Sequence, residues 1–233
     1  MNTRRGWTLG ATFAAAIALG ACQQTMNMLK ARQAFKDANV AYSAKEYGKA
    51  IEEYQKVLEL DPEGDPRVII PAYFYAGSSH HLLYRPARFD DPENEAHLDS
   101  AIELYEKTLE KVAEASDSPH QEQLKPYIRY ANEQLAAIYR DNLDDLEMSE
   151  KYYRALIELE PEAPETWYAL GDLYERFYDP DLEEEEGEEG ESEDSEAEPK
   201  MSLLDKAIEA YRKPVEMNPD DPVEYRQVAA RLN

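Results

Sequence analysis

The sequence predicts an all-α solenoid of about four helix–turn–helix repeats, closed by a C-terminal capping helix. Three observations carry this reading. One phrase recurs four times: AIEEY at Ala50–Tyr54, AIELY at Ala101–Tyr105, SEKYY at Ser149–Tyr153 and AIEAY at Ala207–Tyr211. In each, a small residue and a tyrosine four positions later share one face of a helix. The small residue lets a second helix approach, and the ring one turn on fills the space beside it. A further helical stretch precedes these phrases, and prolines close three of them at matching distance: Pro62, Pro161 and Pro219. A proline there stops one helix before the next begins. Stacked repeats touch only their neighbours, so neither a single compact core nor a catalytic cleft is expected.

The front end reads as an address. Arg4 and Arg5 precede an uncharged, mostly apolar run from Trp7 to Ala21, and the chain's only cysteine, Cys22, follows it. The run has the pattern of a secretory signal and is shorter than the roughly 20 residues that span a bilayer as a helix. Leu19-Gly20-Ala21-Cys22 resembles the bacterial lipobox. That resemblance implies removal of residues 1–21 and lipid on Cys22, with the polar stretch 22–28 as a tether. Several acyl chains, at about 0.8 kcal/mol per buried CH₂, hold a protein on a membrane where one does not. Gln23, where an aspartate would signal inner-membrane retention, points to the outer membrane of a Gram-negative cell. With one cysteine no intrachain disulfide forms, and packing alone must hold the fold.

The repeats follow at about 29–62, 69–115, 122–161 and 164–219, with the capping helix at 222–232. The fourth is the fullest: Trp167, Leu170, Gly171 and Tyr174 spell W-x2-L-G-x2-Y, followed by Ala207, Tyr211 and Pro219. This resembles the tetratricopeptide repeat, a two-helix unit of about 34 residues. In that family the Trp and Leu pack between the two helices and the Gly permits close backbone contact. The first copy has Phe35, Ala38, Asn39 and Tyr42 at the corresponding places, the second Tyr73, Ala76, Gly77 and His80, and the third Leu135, Ala136 and Tyr139. Pro214 departs from the pattern inside the last helix and should kink it.

The composition is strongly acidic, with 50 Asp and Glu against 25 Lys and Arg. Without residues 1–21 the net charge is near −27. Twelve acids fall between Asp181 and Glu198, within an insertion at 180–199 that the charge density predicts to be disordered. It interrupts the turn of the fourth repeat. A second insertion, around Arg85–Ala96, occupies the equivalent turn of the second repeat, so both fall on one edge of the stack. The acidic segment is either a solvated spacer or a trap for a basic partner or divalent cations. A chain this acidic repels phosphate, so nucleic acid is not an expected partner.

No catalytic residues, cofactor or small-molecule substrate are expected. His80 and His81 are adjacent and point about 100° apart on a helix. His97 and His120 stand apart from them, and no spacing of a metal site occurs. No nucleophile elbow, phosphate loop or dinucleotide glycine pattern is present.

The tetratricopeptide resemblance implies a protein-binding groove lined by the first helices. Carried over position by position, it comprises Gln33, Lys36 and Val40; Phe74, Ser78 and His81; Tyr130, Glu133, Ala137 and Arg140; and Tyr168, Asp172 and Glu175. Phe74, Tyr130 and Tyr168 would line it with aromatic rings, or else pack against neighbouring repeats. Val40 stands where carboxylate-clamping members carry Asn. The expectation is a non-enzymatic, lipid-anchored scaffold that binds a peptide or helix and supports assembly of an envelope complex, of the pilus–secretin or outer-membrane-protein type. An adaptor of a cell-wall enzyme and an acidic cation-binding envelope protein are the alternatives.

Overall fold

The computed structural model describes the backbone of residues 7–180 and 201–217 and the side chains of residues 23–180 and 201–217. Eight α-helices have their bounds within these residues: α1 (Trp7–Ser43), α2 (Tyr47–Leu60), α3 (Pro66–Leu83), α4 (Pro92–Glu114), α5 (Gln121–Asp141), α6 (Leu146–Leu159), α7 (Pro164–Phe177) and α8 (Leu203–Met217). One short 3-10 turn lies at Pro86–Arg88, and no strand occurs among the described residues. The helices form four helix–turn–helix units, α1/α2, α3/α4, α5/α6 and α7/α8. The chain divides into two compact units, residues 1–131 and 132–233, with the division inside α5. The acidic insertion beyond Pro180, the capping helix expected at 222–232 and the side chain of Cys22 lie outside the described residues.

In the first unit, α1 runs for 37 residues without a break. The leader, tether and first repeat helix read from the sequence therefore share one backbone element. Its later part buries Ala31, Ala34, Ala38 and Ala41 against Ala50, Tyr54 and Val57 of α2. This is the apolar stripe that a period of 3.6 produces. α1 ends in a Schellman turn, with the Glu46 N–H donating to the Ala41 carbonyl and the Lys45 N–H to that of Tyr42, both at 2.9 Å. The turn needs a left-handed residue, and Lys45 supplies it at φ 61°. Asp65 caps α3 by accepting from the Arg67 N–H at 3.0 Å, and Pro66 opens the helix.

The insertion of the second repeat is smaller than expected. Much of it is helix, because Asp91-Pro92-Glu93 supplies a cap, a first-position proline and an acid in the first turn. The loop that remains is pinned by Asn94. This buried side chain accepts from the Arg85 N–H at 2.7 Å and donates to the carbonyls of Arg85 and Arg88 at 2.9 and 3.0 Å.

In the second unit, Asp145 caps α6 by accepting from the Met148 N–H. The Ser149 hydroxyl donates to the Ala136 carbonyl at 3.0 Å, across the seam between α5 and α6. α7 buries Leu170, Gly171, Leu173 and Tyr174. Trp167 differs from the expectation for its family position. It is only half-buried, and its indole N–H donates to the Pro161 carbonyl at 3.0 Å, tying α7 to the turn after α6. α8 passes through Pro214 to Met217 without interruption. The ring is fully buried, and its packing offsets the hydrogen bond it cannot make.

Candidate functional site

The four small-residue and tyrosine pairs all lie in the helix seams, none of the eight residues more than 6% exposed. What each tyrosine hydroxyl meets differs from repeat to repeat. Tyr54 donates to the Asn39 side chain at 2.7 Å. Tyr105 is wholly buried beside the hydroxyl of Ser78, and that burial pushes its phenol well above the ordinary range. Tyr153 accepts from the Arg140 guanidinium at 2.6 Å. The Tyr211 hydroxyl lies 2.7 Å from carboxylate oxygens of both Asp172 and Glu175, giving its proton to one at a time.

These partners include five residues assigned to the groove from the sequence. Arg140, Asp172 and Glu175 hydrogen-bond the seam tyrosine of their own repeat, Ser78 lies beside Tyr105, and the His81 ring stands edge-on to Tyr105 at 6.4 Å. Ser78 also shares a 2.9 Å hydrogen bond with Tyr42 of α1. In the second, third and fourth repeats, groove positions thus lie beside the seam tyrosine.

In the first unit an aromatic basin surrounds Phe74. Its half-buried ring lies 5.3 Å from Tyr75, 5.5 Å from both Tyr105 and Tyr127, and 6.0 Å from Tyr130. Tyr75 continues the cluster to Tyr42 at 5.1 Å and Tyr54 at 6.2 Å. Apart from the near-parallel Tyr54–Tyr75 pair, these are tilted and edge-on arrangements, in which ring quadrupoles attract. Tyr130, on the rim, is 38% exposed, with the Arg129 guanidinium over its face at 5.1 Å. Burial and the neighbouring Tyr75 push the Tyr127 phenol up to about 12. On α1, Lys36 and Val40 are exposed, Val40 at 63%.

In the second unit the corresponding positions are polar. Arg140 pairs with Asp141 at 2.7 Å. Arg176 reaches Asp141 at 2.9 Å and Asp144 at 2.7 Å. Glu133 is half-buried. Tyr168 packs its ring on Tyr211 at 6.4 Å. Of the three rings expected to line the groove, Phe74 and Tyr130 therefore touch, while Tyr168 belongs to a separate cluster in its own unit. Tyr75 and Tyr127 were missed from the sequence. The run Tyr73-Phe74-Tyr75 was the available signal, since three successive aromatics on a helix cannot all face one seam.

The histidines correct another expectation. His97 does not stand alone: its Nδ1 lies 3.0 Å from Nδ1 of His80, joining α4 to α3. Burial, with His97 adjacent, holds His80 down at about 4. No group of three or more potential metal ligands occurs among the described residues. No described helix is long and apolar enough to cross a membrane.

The repeated seams and the open aromatic face define an all-α repeat scaffold for protein–protein interaction. The tetratricopeptide repeat model matches residues 38–63 and 130–162, which cover the first and third repeated phrases. No protein of curated function matches it. Similar solved structures include a MamA RS-1 double mutant, at 16% identity over 85% of this chain and 81% of that one, with a TM-score of 0.48. BtubC from P. vanneervenii is 17% identical over 91% and 92%, with a TM-score of 0.43. The thermophilic tetratricopeptide protein TTC0263 of Thermus thermophilus is 18% identical over 87% and 98%, with a TM-score of 0.40. At these identities and scores the likeness carries no information on function.

Proposed function

We propose that this protein is a lipid-anchored scaffold of the bacterial envelope that captures a peptide or helix of a protein partner on its first-helix faces, and so supports assembly of an envelope complex. The anchor reading is supported by Leu19-Gly20-Ala21-Cys22 after a short apolar run, with Cys22 the sole cysteine. The binding reading is supported by one observation above all: a cluster of rings around Phe74 whose rim, Tyr130, remains open to solvent. Aromatic side chains offer large contact area at low entropic cost and dominate binding hot spots. Lys36, Val40, Phe74, Ser78, His81 and Tyr130 form the candidate surface of the first unit, and Glu133, Arg140, Tyr168 and Asp172 that of the second.

Two experiments test the two halves of the proposal. Metabolic labelling with a fatty acid should mark the wild-type protein and not Cys22→Ser; label retained on the variant overturns the anchor. A photocrosslinker at Tyr130 should trap one predominant envelope protein in cells. Tyr130→Ala, which removes a rim ring without opening the core, should abolish co-purification of that protein. Undiminished co-purification overturns the binding surface.

A further inference from the structure

We infer that the partner segment held by the first unit is an acidic peptide, with aromatic or aliphatic anchors between its side-chain carboxylates. This rests on the binding surface proposed above and adds the chemistry of its occupant. The chain has 50 Asp and Glu against 25 Lys and Arg, yet the first helices of this unit run against that balance. α3 carries Arg67 and no Asp or Glu over its 18 residues. Over its described side chains, α1 carries Lys30, Arg32 and Lys36 against Asp37 alone. The second helices hold the excess of acid instead. α4 has seven Asp and Glu against Lys107 and Lys111, and α2 has three Glu against Lys49 and Lys56.

The cations stand beside the aromatic basin. Arg67 lies two turns before Phe74 on α3, and a separation of seven residues puts both on one face of the helix. Arg67 shares the Asp65 carboxylate with Arg32 of α1, at 2.7 and 3.9 Å. Two guanidiniums therefore meet one carboxylate, a net positive charge, and both stay about half exposed. Lys36, one turn from both Arg32 and Val40, is exposed and makes no ion pair among the described residues. The Arg129 guanidinium lies over the rim ring, Tyr130, at 5.1 Å.

In such a surface the rings supply contact area and the charges select what is brought to them. Potentials of opposite sign steer an encounter, and like charges reject the wrong partner. A basic segment would meet Arg32, Lys36 and Arg67 with like charge, whereas an acidic one would pair with them. The acidic remainder of the chain does not override this, since screening at physiological salt confines its field to about 8 Å. Recognition falls to carboxylates along the segment, because Val40 offers no donor at the position where chain-end carboxylates are clamped by Asn.

Selection from a random peptide library displayed on phage, with purified full-length protein immobilised, tests this. Peptides enriched on wild type and lost on Tyr130→Ala should carry net negative charge and at least one aromatic or aliphatic residue. The most enriched of them, synthesised and measured by fluorescence anisotropy, should bind the double variant Arg32→Gln/Lys36→Glu at least tenfold more weakly than wild type. It should bind Lys49→Glu, altered on α2, as wild type does. Tyr130-dependent peptides that are neutral or basic overturn the acidic partner and leave the binding surface standing. An acidic peptide with unchanged affinity for Arg32→Gln/Lys36→Glu does the same. Enrichment that is absent, or undiminished on Tyr130→Ala, overturns the surface and the acidic partner together.

Discussion

Gly171 and Gly77 hold the same place in their repeats but not the same space. A Cβ on Gly171 would lie 2.4–2.8 Å from ring atoms of Tyr211, inside any real contact distance. On Gly77 it would meet Leu104, the Ala101 carbonyl and Tyr105 at 3.2–3.3 Å. Alanine also gains about 1 kcal/mol in a helix interior. Gly171→Ala should therefore destabilise by about 1–3 kcal/mol through overpacking, while Gly77→Ala should stay within about 1 kcal/mol of wild type. Urea unfolding of the two variants checks the contrast. Asp65 makes a second residue-scale case. The Arg67 side chain and backbone N–H beside it hold its carboxyl at about 2, below its ordinary 3.8. Because the folded value is the lower one, the folded state gains stability above about pH 4 and loses it as pH falls toward 2. Asp65→Asn should flatten that part of a stability–pH curve, and an unchanged slope between pH 4 and 2 would remove Asp65 as its source.

At the scale of elements, the turns decide most of what differs between the repeats. Lys45 occupies the left-handed position of a Schellman turn, where glycine avoids a penalty of roughly 1–2 kcal/mol. Lys45→Gly gives back part of that through a more mobile unfolded chain, so its net effect should be a stabilisation of up to about 1 kcal/mol, read from the denaturation midpoint. Asn94 holds the loop between α3 and α4 through three hydrogen bonds to backbone groups. Asn94→Ala leaves those groups unpartnered and should cost about 2–3 kcal/mol. It should also expose the Arg85 and Arg88 backbone to trypsin well before global unfolding. A start at Pro92 for α4 was legible in Asp91-Pro92-Glu93, yet the charged, proline-rich composition of 85–96 read as loop. Local capping chemistry outweighed composition there, since a cap satisfies backbone groups whatever the surrounding polarity.

For the molecule as a whole, charge bears on how the chain meets a membrane. With a formal charge of −25, the chain is repelled by anionic lipid headgroups and gains nothing from them electrostatically. Membrane attachment should then depend on the lipid proposed at Cys22. The wild-type protein should stay with membranes through a wash of about 1 M salt, where the screening length falls to about 3 Å, and Cys22→Ser should appear in the soluble fraction even at low salt. Fractionation and immunoblotting give the answer, and a membrane-bound Cys22→Ser would point to a different attachment.

The period of the small-residue and tyrosine phrase determined the helix pairs, the seam residues and the all-α class, because burial on one face of a helix is a local property of residue spacing. What the tyrosine hydroxyls meet was decided only in three dimensions. Asn39, Ser78, Arg140 and the Asp172–Glu175 pair come from 13 to 39 positions away, and the seams bring them to the same rim. The aromatic basin around Phe74 and the His80–His97 pair arose the same way. Contacts between side chains on different helices depend on the angle and depth of packing, which no spacing along a single chain records.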